Sequence, residues 1–166
     1  MIKVECDGAV HEFPTEISAG KVIKKVYGKK SGAIAALVNE EEKDLSYLLS
    51  QNCKVDIVTD KSEEGLYIMR HSCAHLLAQA VTELFPKARP TIGPPVDDGF
   101  YYDFYMDPIN EEDLRKIEKL MKKIVKQNIP IQREEHDNKT LRKMFSDNSF
   151  KMEIMDDKIG QEVGSS

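Results

Sequence analysis

Between Leu66 and Phe85 the apolar residues recur at the spacing of one helix face. Leu66, Met69, Cys73, Leu76, Leu77, Ala80, Val81 and Leu84 fall on a single stripe at about 100° per residue. Pro86 ends the pattern, because proline has no N–H to donate and its ring clashes with the preceding turn. An amphipathic helix of this length has to bury its stripe, so it predicts the core face of a folded domain. It does not predict a membrane span: no stretch of the chain approaches the ~18–20 consecutive apolar residues such a span needs. No N-terminal signal pattern appears either. The expectation is a cytoplasmic protein without a membrane partner.

The sixty residues ahead of that helix read as short alternating elements. Met1–Cys6 and Ala9–Phe13 flank Asp7-Gly8, a two-residue turn of preferred hairpin chemistry. Ser18 or Thr15 is positioned to cap a short helix over Ala19–Tyr27, which Gly28 stops. Gly32–Val38 is a small-residue run bounded by turns, and Lys54–Val58 alternates polar and apolar residues at period two. Leu45–Leu49 supplies further apolar anchors. A four- or five-stranded sheet with one helix laid across it buries these sets, which is a β-grasp-like arrangement. Lys61–Gly65, polar and containing a glycine, reads as a hinge.

Beyond Pro86, Thr91–Tyr105 (TIGPPVDDGFYYDFY) carries Asp98-Gly99 as a second hairpin signal, between a Gly-Pro-Pro entry and an aromatic strand. Asn110–Asn128 is a second strong helix, with Asn110 as N-cap and Glu111, Glu112 and Asp113 in a first turn where negative charge suits the helix dipole. Leu114, Ile117, Leu120, Met121, Ile124 and Val125 form its stripe, lysines cover the rest, and Pro130 ends it. Ile129–Glu134 reads as a strand, Asn138–Phe145 as a short helix and Lys151–Met155 as another strand. Gly160–Ser166 is polar and adds no closing element, so the second domain reads as unfinished.

A length of 166 residues fits two small domains, and 40% apolar with 32% charged residues is a globular composition. Three widely spaced cysteines, Cys6, Cys53 and Cys73, make neither a disulfide scaffold nor a zinc ribbon. A formal charge of −5 argues against a broadly basic nucleic-acid binder, while leaving room for local basic patches.

Chemistry is most concentrated at His71 and His75, four residues apart and therefore one turn apart on the same side of the first long helix. Their face also carries Ala74, Ala78 and Thr82, small residues where a solvated back face would carry lysine and glutamate. Two such imidazoles divide acid and base duties or share a metal, since histidine titrates near neutral pH. The bland alternative is an exposed, hydrogen-bonded pair, and two histidines fall short of the three or four ligands zinc requires. His11 and His136 lie in other contexts. Cys73 sits on the core face and reads as a buried thiol. The aromatic run from Phe100 to Tyr105 reads first as alternating core and surface. Lysines at 21, 24, 25, 29 and 30 and along the second long helix read first as solvated faces, with an RNA contact as the alternative.

Glu63–Val81 (EEGLYIMRHSCAHLLAQAV) and Ile92–Phe104 (IGPPVDDGFYYDF), in this order, closely resemble the threonyl-tRNA synthetase family. The resemblance is strong from about residue 61 to 105 and weaker over residues 1–60. It implies an α+β chain: a TGS domain of ubiquitin-like β-grasp form over 1–60, then the first part of an editing domain of threonyl/alanyl type over 61–166.

In that family the editing domain removes serine from mischarged threonine tRNA. Serine and threonine differ by one methyl, which binding discriminates by only ~1–3 kcal/mol, so a second, hydrolytic site is needed. By position, His71 and His75 match the family's catalytic helix pair. Lys151 matches a cleft lysine on a strand, Tyr102 a tyrosine lining the cleft, and Gly93 a point where the backbone passes close to the substrate.

The partner half of the site, a distal C-x-x-x-H motif, has no counterpart here, since no cysteine follows Cys73. The resemblance implies no cofactor or metal in this segment, with His71 and His75 at most partial ligands. It assigns ATP, magnesium and a catalytic zinc to the full-length enzyme. The implied partners are the acceptor end of threonine tRNA with its seryl or threonyl group. The full-length protein is expected as a homodimer and the segment as a monomer. Two alternatives remain at this point: a free-standing trans-editing deacylase, and a non-catalytic RNA- or protein-binding TGS module.

Overall fold

The computed structural model describes residues 1–129 and 137–153. The chain divides into two compact units, Met1–Met69 and Arg70–Ser166. The first holds strands β1 (Ile2–Cys6), β2 (Ala9–Phe13), β3 (Ile17–Ser18), helix α1 (Ala19–Val26), then β4 (Ala33–Val38), β5 (Glu41–Lys43), β6 (Leu48–Leu49) and β7 (Cys53–Thr59). Helix α2 (Glu63–Leu84) leads into the second. There follow β8 (Arg89–Pro90), β9 (Pro95–Val96), β10 (Gly99–Phe100), β11 (Phe104–Tyr105), α3 (Glu111–Gln127) and α4 (Asn138–Met144).

Five strands of the first unit form one mixed sheet in the order β2-β1-β7-β4-β5. β1 runs antiparallel to β2 and parallel to β7, while β4 is antiparallel to both of its neighbours. The Asp7-Gly8 turn is as the sequence requires: both residues take positive φ, 50° and 74°, the type I′ geometry that matches strand twist. Alternation along β1 sends Ile2, Val4 and Cys6 to a core shared with Phe13, Val22, Ile23 and Val55. Val22 and Ile23 place α1 against this sheet, the layering the sequence predicts.

Ser18 occupies the N-cap position of α1, but its side chain makes no capping bond. The orphan N–H groups of the first turn are satisfied by backbone instead, Ala19 donating to the Tyr47 carbonyl and Gly20 to that of Leu45, each at 2.8 Å. A Cβ on Gly20 would lie 2.9 Å from that Leu45 oxygen, so the close approach needs glycine. Of the anchors in 45–49, Leu49 is buried and Leu45 packs on the core, whereas Leu48 is exposed.

Of the expected hinge, Lys61 and Ser62 form a turn and Glu63–Gly65 are already helical. α2 begins at Glu63, and Gly65 in its first turn is buried against Thr59, where a Cβ would fall 2.7 Å from the Thr59 carbonyl carbon. Glycine serves close packing there. The long stripe is buried only toward its C-terminal half: Ala80 and Val81 join Ala88, Ile117 and Ile124 in the second core, with Leu76 and Leu77 packed on it. Leu66, Met69 and Leu84 are exposed and Cys73 is half-buried. Periodicity identifies a face without saying how far its neighbours extend.

In α3 the expected cap is a full capping box. The Asn110 side chain accepts from the Asp113 N–H, and Asp113 returns a bond to the Asn110 N–H. Ile117 and Ile124 are buried, but Leu114 and Val125 at the stripe's margins are exposed. The helix ends on Asn128 in the left-handed region, at φ 49°. The second hairpin is displaced by one residue: Val96 pairs with Gly99, leaving Asp97-Asp98 as the turn. The short helix after residue 137 is present as α4, with Asp137 as N-cap.

The strand expected over Lys151–Met155 is not a strand where it is described; residues 149–153 are helical. An alternating K-M-E-I-M pattern is short enough to satisfy either period, and here Asn148 accepts from the Lys151 N–H at 3.2 Å to start a turn. The strand expected over Ile129–Glu134 lies outside the described residues from 130 onward, as do His136 and Gly160–Ser166. Among the described residues no helix is long and apolar enough to cross a membrane.

Candidate functional site

All five site residues predicted from sequence lie in the second unit. His71 and His75 leave α2 one turn apart and meet: their Nε2 atoms are 3.0 Å apart and the rings stand nearly perpendicular, 80° between planes and 4.6 Å between centroids. An N···N contact of this length requires one ring to donate an Nε2–H and the other to accept, so the neutral pair holds opposite tautomers and shares one proton. Ala74, predicted to keep this side of the helix open, is instead 1% exposed. The Thr82 hydroxyl turns back to the Ala78 and Gln79 carbonyls of its own helix.

His75 is exposed on the helix surface, yet partial desolvation of its imidazole holds it below its ordinary pKa, and the charges of His71 and then Lys151 push it the same way. Lys151 is thereby joined electrostatically to the pair. Its ammonium also stands 5.0 Å over the Phe145 ring. The segment that carries it is tied to β8 by two bonds that sequence reasoning missed: Arg89 donates to the Asp147 carbonyl at 2.7 Å, and the Asn148 amide to the Pro90 carbonyl at 3.2 Å. Both span 58 residues, and no local pattern announces them. Arg89, Asn148 and Lys151 line an open cleft of about 650 Å³ whose wall includes neither histidine.

Gly93 and Tyr102 form a second grouping. A Cβ on Gly93 would collide with the Tyr102 ring at Cδ2, only 2.6 Å from Cγ and Cε2. The ring stacks on Phe104, centroids 4.7 Å apart and planes at 24°, and burial raises its phenol pKa. The two strands are held in register past their ends by the Thr91 N–H and hydroxyl, both donating to the Asp103 carbonyl, and by Asp103 N–H to the Ile92 carbonyl. Among the described residues no group of three or more histidine, cysteine, aspartate or glutamate side chains is arranged to hold a metal. The arrangement at His71 and His75 is an imidazole pair in hydrogen-bond contact, with the charge of Lys151 acting on His75.

The chain is 48% identical to the threonine–tRNA ligase of Thermoplasma volcanium over 136 residues, 82% of this chain and 20% of that protein. It is 45% identical to that of Azoarcus over 130 residues, 77% of this chain and 20% of the relative. With the ligase of Thiobacillus denitrificans it shares 40% identity over 163 residues, 95% of this chain and 26% of that one. It is related to the threonine–tRNA ligases. The chain spans about a fifth to a quarter of the length of these relatives. No family model matches it. Among solved structures, a crystal structure of ATBAG1 in complex with HSP70 is similar at TM-score 0.34 and 18% identity, over 87% of this chain and 89% of that one, too weak a likeness to carry an argument.

Proposed function

We propose that this chain is the N-terminal TGS and editing region of a threonine–tRNA ligase, and that its second unit contributes to the hydrolysis of serine mischarged onto threonine tRNA. The observation that carries the reading is the 3.0 Å contact between His71 and His75 within R-H-S-x-A-H, in a chain 40–48% identical to such ligases. The first unit's sheet order, with α1 packed on it, supports a β-grasp TGS domain. The aromatic hairpin with Gly93 under Tyr102 supports a cleft wall where backbone and ring approach closely.

The reaction is ester hydrolysis. Water adds to the seryl carbonyl carbon, the bond from that carbon to the ribose oxygen breaks, and the released oxygen takes a proton, giving free serine and uncharged tRNA. A neutral imidazole takes the proton from water as it attacks. His75 suits this role because partial desolvation, with the charges of His71 and Lys151 acting the same way, holds its imidazole below its ordinary pKa and so favours the neutral form. The contact with His71 gives that proton a path toward the leaving oxygen. Lys151 supplies positive charge for the carbonyl oxygen as it becomes an oxyanion.

Threonylation itself, with ATP, magnesium and zinc, belongs in this reading to a domain outside the chain, in a cytoplasmic homodimer. In the full-length enzyme, His71→Ala with His75→Ala leaves threonylation near normal while seryl-tRNA accumulates. Unchanged serine clearance sinks the assignment.

A further inference from the structure

We infer that the outward face of α3 is a docking surface for the phosphate backbone of an RNA stem. Ile117 and Ile124 fix the inward side of this helix. Directly opposite, at spacings of four, three and four residues, stand Arg115, Lys119, Lys122 and Lys126, all exposed, with Lys123 beside them. The eleven residue steps from Arg115 to Lys126 make this a straight row of positive charge about 16 Å long. It belongs to a chain whose formal charge is −5.

A merely solvated helix face places an acid one turn before each basic residue, and α3 does so three times: Glu111 precedes Arg115, Glu112 precedes Lys116 at 3.1 Å, and Glu118 pairs with Lys122. Elsewhere it does the opposite. Arg115 and Lys119, Lys119 and Lys123, and Lys122 and Lys126 are like charges at i,i+4, each of which weakens the isolated helix. Among the described residues Arg115, Lys119, Lys123 and Lys126 enter no ion pair. Repulsion retained along one line is relieved by an anion lying along that line. The α3 sequence contains no aromatic residue on which an unpaired base could stack, so the charge complements a regular phosphate row and not a single strand. RNA is chosen over other polyanions on the kinship with tRNA ligases, and to that extent the inference rests on the function proposed above.

The test is fluorescence anisotropy of the 166-residue chain with a labelled RNA hairpin, over a range of salt. The quadruple variant Arg115→Gln, Lys119→Gln, Lys122→Gln, Lys126→Gln should bind about tenfold or more weakly, with its log–log salt slope smaller by roughly three. Lys24→Gln with Lys29→Gln and Lys30→Gln, on the other unit, should change neither. Lys119→Glu turns two repulsive pairs into attractive ones, so it should raise the melting temperature while weakening RNA binding, a combination that misfolding does not produce. Unchanged affinity in the quadruple variant, tighter binding to an unpaired strand of equal length, or salt-independent binding each overturns the inference. His71→Ala with His75→Ala should bind the hairpin like the parent chain, so loss of hydrolysis and loss of docking are read separately.

Discussion

His71 and His75 meet Nε2 to Nε2 at 3.0 Å, and one proton serves both rings. Partial desolvation disfavours a charged imidazole at His75, and the charges of His71 and then Lys151 act in the same direction, which is why His75 titrates below its ordinary 6.5. In a histidine-resolved NMR titration, His71→Ala and Lys151→Gln should each move the His75 midpoint upward, because each removes a positive neighbour. Since the folded value is depressed, the unfolded chain takes up the proton first. Stability should therefore fall as pH drops from 6.5 toward the folded value, and be fully present above 6.5. An unmoved midpoint in both variants would remove the electrostatic coupling.

Gly93 underlies the Tyr102 ring so closely that no side chain fits. Gly93→Ala should displace that ring from its stack on Phe104 and cost about 1–3 kcal/mol, the range for overpacking a well-filled site. Near-ultraviolet circular dichroism and urea unfolding report the two effects. A native tyrosine spectrum at parental stability would show that the backbone yields freely.

Gly65→Ala tests the opposite reading of a glycine. If Gly65 served flexibility, alanine in a helical first turn would stabilise the chain. Because its Cβ would collide with the Thr59 carbonyl, the expected result is a loss of about 1–3 kcal/mol in urea midpoint analysis.

Cys6 is fully buried, and burial with the nearby Cys53 and acidic residues pushes its thiol up to about 11. At pH 8 it should resist iodoacetamide in the folded chain and label only on unfolding. The unfolded thiol ionises from its ordinary 9.0, so the stability contributed by this group is intact below pH 9 and lost as pH rises toward 11. Rapid native alkylation at Cys6 would contradict the packing of β1.

Much of this was legible where local chemistry and global packing agree. Asp7-Gly8, the Asn110 cap and the period-two run of Lys54–Val58 each specify one backbone state, and the fold uses it. The histidine pair was legible because i,i+4 spacing on a helix leaves little freedom. Sequence reading failed where distant residues decide. The turn at Asp97-Asp98 is set by the pairing of Val96 with Gly99, and the helical turn around Lys151 by Asn148 together with a tether to β8. Ala74 is buried on a side that its helical position marks as open, because a wheel shows direction and not what stands opposite.

The most direct measurement is the single-turnover hydrolysis of preformed seryl-tRNA by the full-length ligase, with and without His71→Ala and His75→Ala, beside threonylation by the same preparations. Loss of about 10²–10⁴-fold in hydrolysis with threonylation intact is the expected result for removing the proton-transfer pair. Hydrolysis at the parental rate would contradict it and leave the two imidazoles a structural contact on the surface of α2.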